Sequence, residues 1–77
     1  MKYERLRNLR EDNDLLQRHV AKILNIAERT YSHYETGKRN ISIESLLTLA
    51  KFYNTSIDYL VGLTDEKSPY PRAKSHK

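Results

Sequence analysis

The chain has no cysteine. That excludes a disulfide scaffold, a cysteine zinc site, a thiol nucleophile and a thiolate-held cluster. Only two glycines and two prolines occur, and both prolines, Pro69 and Pro71, sit near the C-terminus. No glycine-rich phosphate loop can be built from that stock, and little before Pro69 would interrupt a helix. No long apolar run is present, so no membrane span is expected and no signal peptide opens the chain. The histidines His19, His33 and His76 lack a metal-ligand spacing, so neither a metal nor another cofactor is expected. No nucleophile turn and no pair of acids in a cleft is readable, and enzyme activity is not expected. With 77 residues the chain makes one domain, because a second would need roughly 50 of its own. These exclusions leave a small soluble protein, most simply cytoplasmic.

Fourteen Lys and Arg against ten Asp and Glu give +4. Residues 1–64 carry ten basic and eight acidic groups; residues 65–77 carry four and two. The surplus is mild but favours a polyanionic partner, with nucleic acid ahead of an anionic membrane.

Apolar periodicity divides the first 64 residues into five short helices. Tyr3, Leu6, Leu9 and Arg10 share a face of the first, and the run Glu11-Asp12-Asn13-Asp14, which supplies poor helix formers and a negative C-terminus, stops it near Asn13. The second covers about 17–24 on Val20, Ala21 and Leu24. The third covers about 28–36, with Tyr31 and Tyr34 inward and Gly37 at a left-handed C-terminal position. Their inward phase makes the two tyrosines core residues and not stacking platforms for single strands. Ser42 reads as the N-cap of a fourth helix with Leu46, Leu49, Ala50 and Tyr53 at i, i+3, i+4 and i+7. Ser56 caps a last short helix that Gly62 ends. From Asp65 the pattern disappears, and 65–77 reads as a disordered basic tail, dispensable for folding. The fold class is all-α: five helices packed as a compact bundle over 1–64.

The segments 17–24 and 28–36 are joined by three residues, the spacing of a helix-turn-helix. Ala21 is small where the helices must approach. Asn25 tolerates positive φ in the turn, and Ile26 can plug the wedge between them. Removing the core positions of the second segment leaves Glu28, Arg29, Ser32 and His33 facing outward, with Thr36 beyond. Arg grips guanine, Glu accepts from cytosine, and Ser or His does either. A solvated polar face is the bland reading of such a row; the flanking residues decide against it. Gln17 opens the preceding helix, where an amide and free N–H groups suit a phosphate. Lys38, Arg39 and Asn40 follow, placed for the sugar–phosphate chain. His19, near Gln17, reads as a surface residue. Lys2, Arg5, Arg7 and Arg10 spread around the first helix and read as mostly solvated.

With these residues in place, the sequence resembles the Cro/repressor-type helix-turn-helix family across about 4–64. The resemblance runs through Leu6-Arg7-Asn8-Leu9-Arg10-Glu11, Gln17…Val20-Ala21…Leu24-Asn25-Ile26 and Arg29-Thr30-Tyr31-Ser32…Tyr34-Glu35…Gly37-Lys38-Arg39. It ends with Leu46-Leu47…Leu49-Ala50-Lys51-Phe52-Tyr53 and Ser56-Ile57-Asp58-Tyr59-Leu60…Gly62. It implies a lambda-repressor-like domain that reads double-stranded DNA with the helix 28–36. On that basis Glu28, Arg29, Ser32 and His33 face bases, while Gln17, Lys38, Arg39 and Asn40 contact backbone. An ion pair of Arg10 with Glu35 is also implied. The sequence departs from the family where Leu16 and Ala27 replace the usual Ser or Thr caps, at about 1 kcal/mol each, and where Asn25 replaces Gly.

The domain fills most of the chain, which leaves no room for a sensor or catalytic module and points to a stand-alone transcriptional regulator, a repressor first. The alternative is an antitoxin or adaptor that binds a protein partner. Family dimers form through the C-terminal helix region. Here Tyr59, Val61 and Leu63 are the candidate contacts of a homodimer on an inverted-repeat operator.

Overall fold

The computed structural model describes residues 1–69. Its elements are α1 (Glu4–Asp12), α2 (Gln17–Leu24), α3 (Glu28–Thr36), α4 (Ile43–Phe52) and α5 (Ile57–Leu60), with no strand among the described residues. No described helix is long and apolar enough to cross a membrane.

Each helix turns its apolar stripe to one core. α1 contributes Leu6 and Leu9, α2 Val20 and Ala21, and α3 Tyr31. α4 adds Leu46, Leu49 and Ala50, followed by Tyr53 and, from α5, Leu60. Ile57, Leu24 and Ile26 pack around its edge. Burying a side chain of leucine size is worth ~1.5–3 kcal/mol, so these few residues dominate the stability of so small a domain.

The N-termini divide into two kinds. Ser42 Oγ accepts from the Ser45 N–H at 3.1 Å, and Ser56 Oγ accepts from the Tyr59 N–H at 3.0 Å. Leu16 and Ala27 offer no side-chain cap. At Leu16 a different bond compensates: its backbone N–H donates to His19 Nδ1 at 3.0 Å. This is the return half of a capping box, with an imidazole in the place of the usual carboxylate or amide. His19 is therefore a helix-start residue, a role that its exposure and spacing do not announce.

The C-termini follow one rule. Asp14, Asn25 and Asn54 have φ of 57°, 57° and 56°, and Gly37 and Gly62 have 83° and 86°. After four of these residues the next N–H reaches back to a helix carbonyl: Leu15 to Arg10, Ile26 to Ala21, Thr55 to Ala50 and Leu63 to Asp58, at 2.8–3.0 Å. These are Schellman closures, which satisfy carbonyls that a helix end leaves open and reverse the chain within two residues.

Arg5 departs from the solvated role expected of it. It donates to the carbonyls of Tyr59 and Thr64, pairs with Asp65 at 2.7 Å and lies 4.0 Å over the Tyr59 ring. Residues from two turns of chain separated by more than fifty positions are thereby held together. Buried Thr55 donates through Oγ1 to the Lys67 carbonyl at 2.6 Å. Residues 65–69, expected at the start of a disordered tail, thus contact the domain through Asp65 and Lys67. The rest of that expected tail, 70–77, lies outside the described residues.

Candidate nucleic-acid interface

α2 and α3 make the most extensive helix–helix contact of the molecule. Ala21, 2% exposed, permits their close approach. Asn25 in the left-handed region redirects the chain, and half-buried Ile26 packs against the core below the turn. α3 then has two distinct sides. Tyr31 and Glu35 are buried, and Tyr34 meets Tyr31 edge-on with ring centroids 6.5 Å apart. Glu28, Arg29 and Thr36 are exposed, while Ser32 and His33 are half-buried. The four candidate base-reading residues therefore share the open side, with Ser32 and His33 nearer its edge than Glu28 and Arg29.

One side chain on the inner side of α3 is charged. Glu35 receives Arg10 Nε at 2.7 Å and Arg10 Nη2 at 3.1 Å, a two-point ion pair between α1 and α3. The partners' side chains are 12% and 4% exposed. Arg10 Nη1 also donates to the Leu15 carbonyl, which ties the pair to the start of α2. Gln17 Nε2 donates to Glu35 Oε1 at 3.0 Å. Burial alone would raise the Glu35 pKa, but donation from Arg10 and Gln17, with the nearby Tyr31 hydroxyl, holds it below the usual carboxylate range. Burial in turn pushes the Tyr53 phenol up to about 12.

Gln17 thus has one amide N–H committed to Glu35 and one left, at the first position of α2. Lys38, Arg39 and Asn40 lie exposed after α3. The Arg39 N–H donates to the His33 carbonyl at 3.2 Å, pinning this loop to the end of α3. Asn40 Oδ1 accepts from the Met1 amino group at 2.7 Å, so the carbonyl side of its amide is engaged. Exposed Arg18 and Lys22 on α2 add to the basic residues of the motif, and neither stands at a helix start or in the loop after α3, where spacing would single it out. The ion pairs of the described residues involve Arg5, Arg7 and Arg10, which leaves Arg18, Lys22, Arg29, Lys38 and Arg39 without one. The result is a row of polar side chains on a rigid helix, flanked by uncompensated cations. No group of histidines and carboxylates among the described residues could hold a metal ion.

The Helix-turn-helix family profile matches residues 6–60 of this sequence. The chain belongs to the helix-turn-helix family. It is 35% identical over 74 residues to the uncharacterized HTH-type transcriptional regulator YobD of Bacillus subtilis, an alignment covering 96% of this chain and 66% of YobD. It is 37% identical over 73 residues to the HTH-type transcriptional regulator AnsR of the same organism, covering 95% of this chain and 63% of AnsR. The cryptic phage CTXphi transcriptional repressor RstR of Vibrio cholerae is 39% identical over 57 residues, 74% of this chain and 51% of RstR. Among solved structures, a transcriptional regulator from Listeria innocua superposes with a TM-score of 0.77 at 36% identity, over 83% of this chain and 60% of that one. Of these four proteins, this helix-turn-helix chain spans between half and two thirds of the length.

The candidate dimer contacts sit away from α3 in the chain. Tyr59 and Val61 are half-buried and Leu63 is 78% exposed. Tyr59 has one ring face occupied by Arg5. Further apolar side chains lie open at Ile43 and Leu47 on one flank of α4 and at Phe52 on the other.

Proposed function

We propose that this chain is a sequence-specific double-stranded DNA-binding transcriptional regulator, acting as a repressor from the cytoplasm and through binding alone. α3 enters the major groove. Glu28, Arg29, Ser32 and His33 meet base edges, while Gln17, Lys38, Arg39 and Asn40 hold the backbone. The observation that carries this reading is the open side of α3, polar throughout and bordered by cations with no ion-pair partner among the described residues. Family membership and the repressor RstR among the relatives support it. A homodimer on an inverted-repeat operator follows from the need for two reading heads, with Tyr59, Val61 and Leu63 between protomers.

Titration of a labelled duplex at several salt concentrations tests the proposal. Each phosphate neutralised should add ~0.9 to the log–log slope. A salt-insensitive response, or a preference for single strands, would overturn it.

A further inference from the structure

We propose that the cleft between the N-terminal arm and the end of α3 is a second site for a backbone phosphate of duplex DNA, with Lys2 and Arg7 as its cations. The inference rests on the DNA-binding reading and extends the contact surface to residues that neither the sequence pattern nor the recognition helix includes.

The cleft opens beside the recognition motif, with Lys2, Arg7 and Thr36 around its exposed rim and half-buried Gln17 on its wall. The Arg10–Glu35 pair lies beneath them, and its two charges cancel. Glu11 is the remaining wall residue. Three cations against two carboxylates leave the cleft with one net positive charge. That charge is carried by Lys2, which makes no ion pair among the described residues. Arg7 gives its Nε to Glu11 at 3.0 Å, and the side chain is 61% exposed, so its terminal nitrogens face solvent. Gln17 contributes the amide N–H that Glu35 does not use. An anion entering the cleft would therefore meet a Lys ammonium, an Arg fork and an amide donor from three separate stretches of chain.

Lys2 is fixed at this position by its own backbone. Gly37, at φ 83°, closes α3 against residue 2 so tightly that a Cβ on Gly37 would fall 3.1 Å from Lys2 Cβ, 3.2 Å from its N and 3.3 Å from its Cα. The arm is thus packed on the same turn that launches Lys38 and Arg39 toward the backbone. A phosphate in the cleft and phosphates at that loop would lie side by side at the C-terminal end of α3. The competing role for Lys2 is structural: its charge could merely compensate the carbonyl end of α3.

The full chain is titrated against a random-sequence duplex over a range of salt, comparing wild type with Lys2→Gln, Arg7→Gln, Glu11→Gln, Lys2→Arg and, as a control on α4, Lys51→Gln. Lys2→Gln and Arg7→Gln should each weaken binding and lower the log–log salt slope by ~0.9, Lys2→Arg should keep it, and Lys51→Gln should leave it unchanged. Glu11→Gln should tighten binding, because it removes the carboxylate that competes for Arg7. A salt-dependent wild type whose slope survives both Lys2→Gln and Arg7→Gln overturns the site and leaves the DNA reading intact. A lower melting temperature for Lys2→Gln with an unchanged slope assigns Lys2 to the helix end and likewise overturns it. A wild type without salt dependence fails the DNA reading and this site with it.

Discussion

Arg29 and Arg39 are both exposed arginines without ion pairs among the described residues, ten residues apart, yet their places differ in kind. Arg29 stands on the open side of a packed helix, where a base edge can be gripped in one register. Arg39 stands on a loop beyond the helix end, which the proposal sets against the sugar–phosphate backbone. An Arg on guanine carries roughly 1–3 kcal/mol of discrimination. Arg29→Ala should relax preference at one position of each half-site, measured by competition between single-base operator variants. Arg39→Ala should weaken every sequence alike and lower the salt slope. Identical behaviour of the two would mean that the reading face is misplaced. Glu35 supplies a second test at this scale. Its carboxyl is held below the ordinary value of 4.5, so the folded chain gives up this proton more readily than the unfolded chain. The resulting stability is complete above the unfolded value and is lost as pH falls through the folded one. Melting temperature should therefore drop on acidification below about pH 4.5, and Glu35→Gln should flatten that limb. Stranding either charge by Arg10→Met or Glu35→Leu alone should cost ~3–5 kcal/mol, and replacing both should recover much of it. Two single variants that melt like wild type would contradict the buried pair.

At the scale of helices, the sequence was most legible where one residue type does one local job. The bounds 17–24 and 28–36, the Ser42 and Ser56 caps and the turn at Asn25 all follow from periodicity and side-chain chemistry within a few positions. What stayed hidden depends on distance along the chain. Arg5 meets residues more than fifty positions away, and Thr55 meets Lys67 across a loop; no spacing rule reports such pairs. Gln17 is legible in the sequence as the residue that opens α2, but its bond to Glu35 emerges only when α2 crosses α3. His19 had a local signal in hindsight, since position N3 of a helix is where a capping box returns its bond. Helix ends also carry a prediction. A left-handed backbone costs an ordinary L-residue ~1–2 kcal/mol, less for Asn and nothing for Gly. Asn25→Ala should lower stability by about 1 kcal/mol, while Asn25→Gly should match or slightly exceed wild type, read from urea midpoints. Equal loss in both would show that the Asn side chain, and not its backbone tolerance, closes α2.

For the whole molecule the question is how many heads bind. On the proposed reading one α3 would touch only a few base pairs, too few to single out a site among a genome's competitors, so two are expected to act together. Two-fold pairing places the same patch on both sides of the axis. Leu63, 78% exposed, is the apolar group around α5 most open for that purpose, and Tyr59 and Val61, which like Ile57 pack against the core, are half-buried beside it. The patch is small, so the protomers should pair weakly in solution and fully on DNA. Tyr59 is a poor place to test it, because its ring and carbonyl also hold Arg5 and hence the chain after α5. Leu63 has no such duty, and Leu63→Glu should leave melting unchanged while putting like charges across the axis. The variant should lose cooperative binding to an inverted repeat whose half-site centres lie roughly 34 Å apart, one turn of the duplex. Inserting half a turn between half-sites should abolish tight binding by the wild type, because the second head then faces the wrong side. Footprints at two half-sites on one face of the duplex, reduced to none by either change, are the expected result. Tight, spacing-independent occupancy of a single half-site by wild type and Leu63→Glu alike would show that one head suffices and that the patch around α5 has another use.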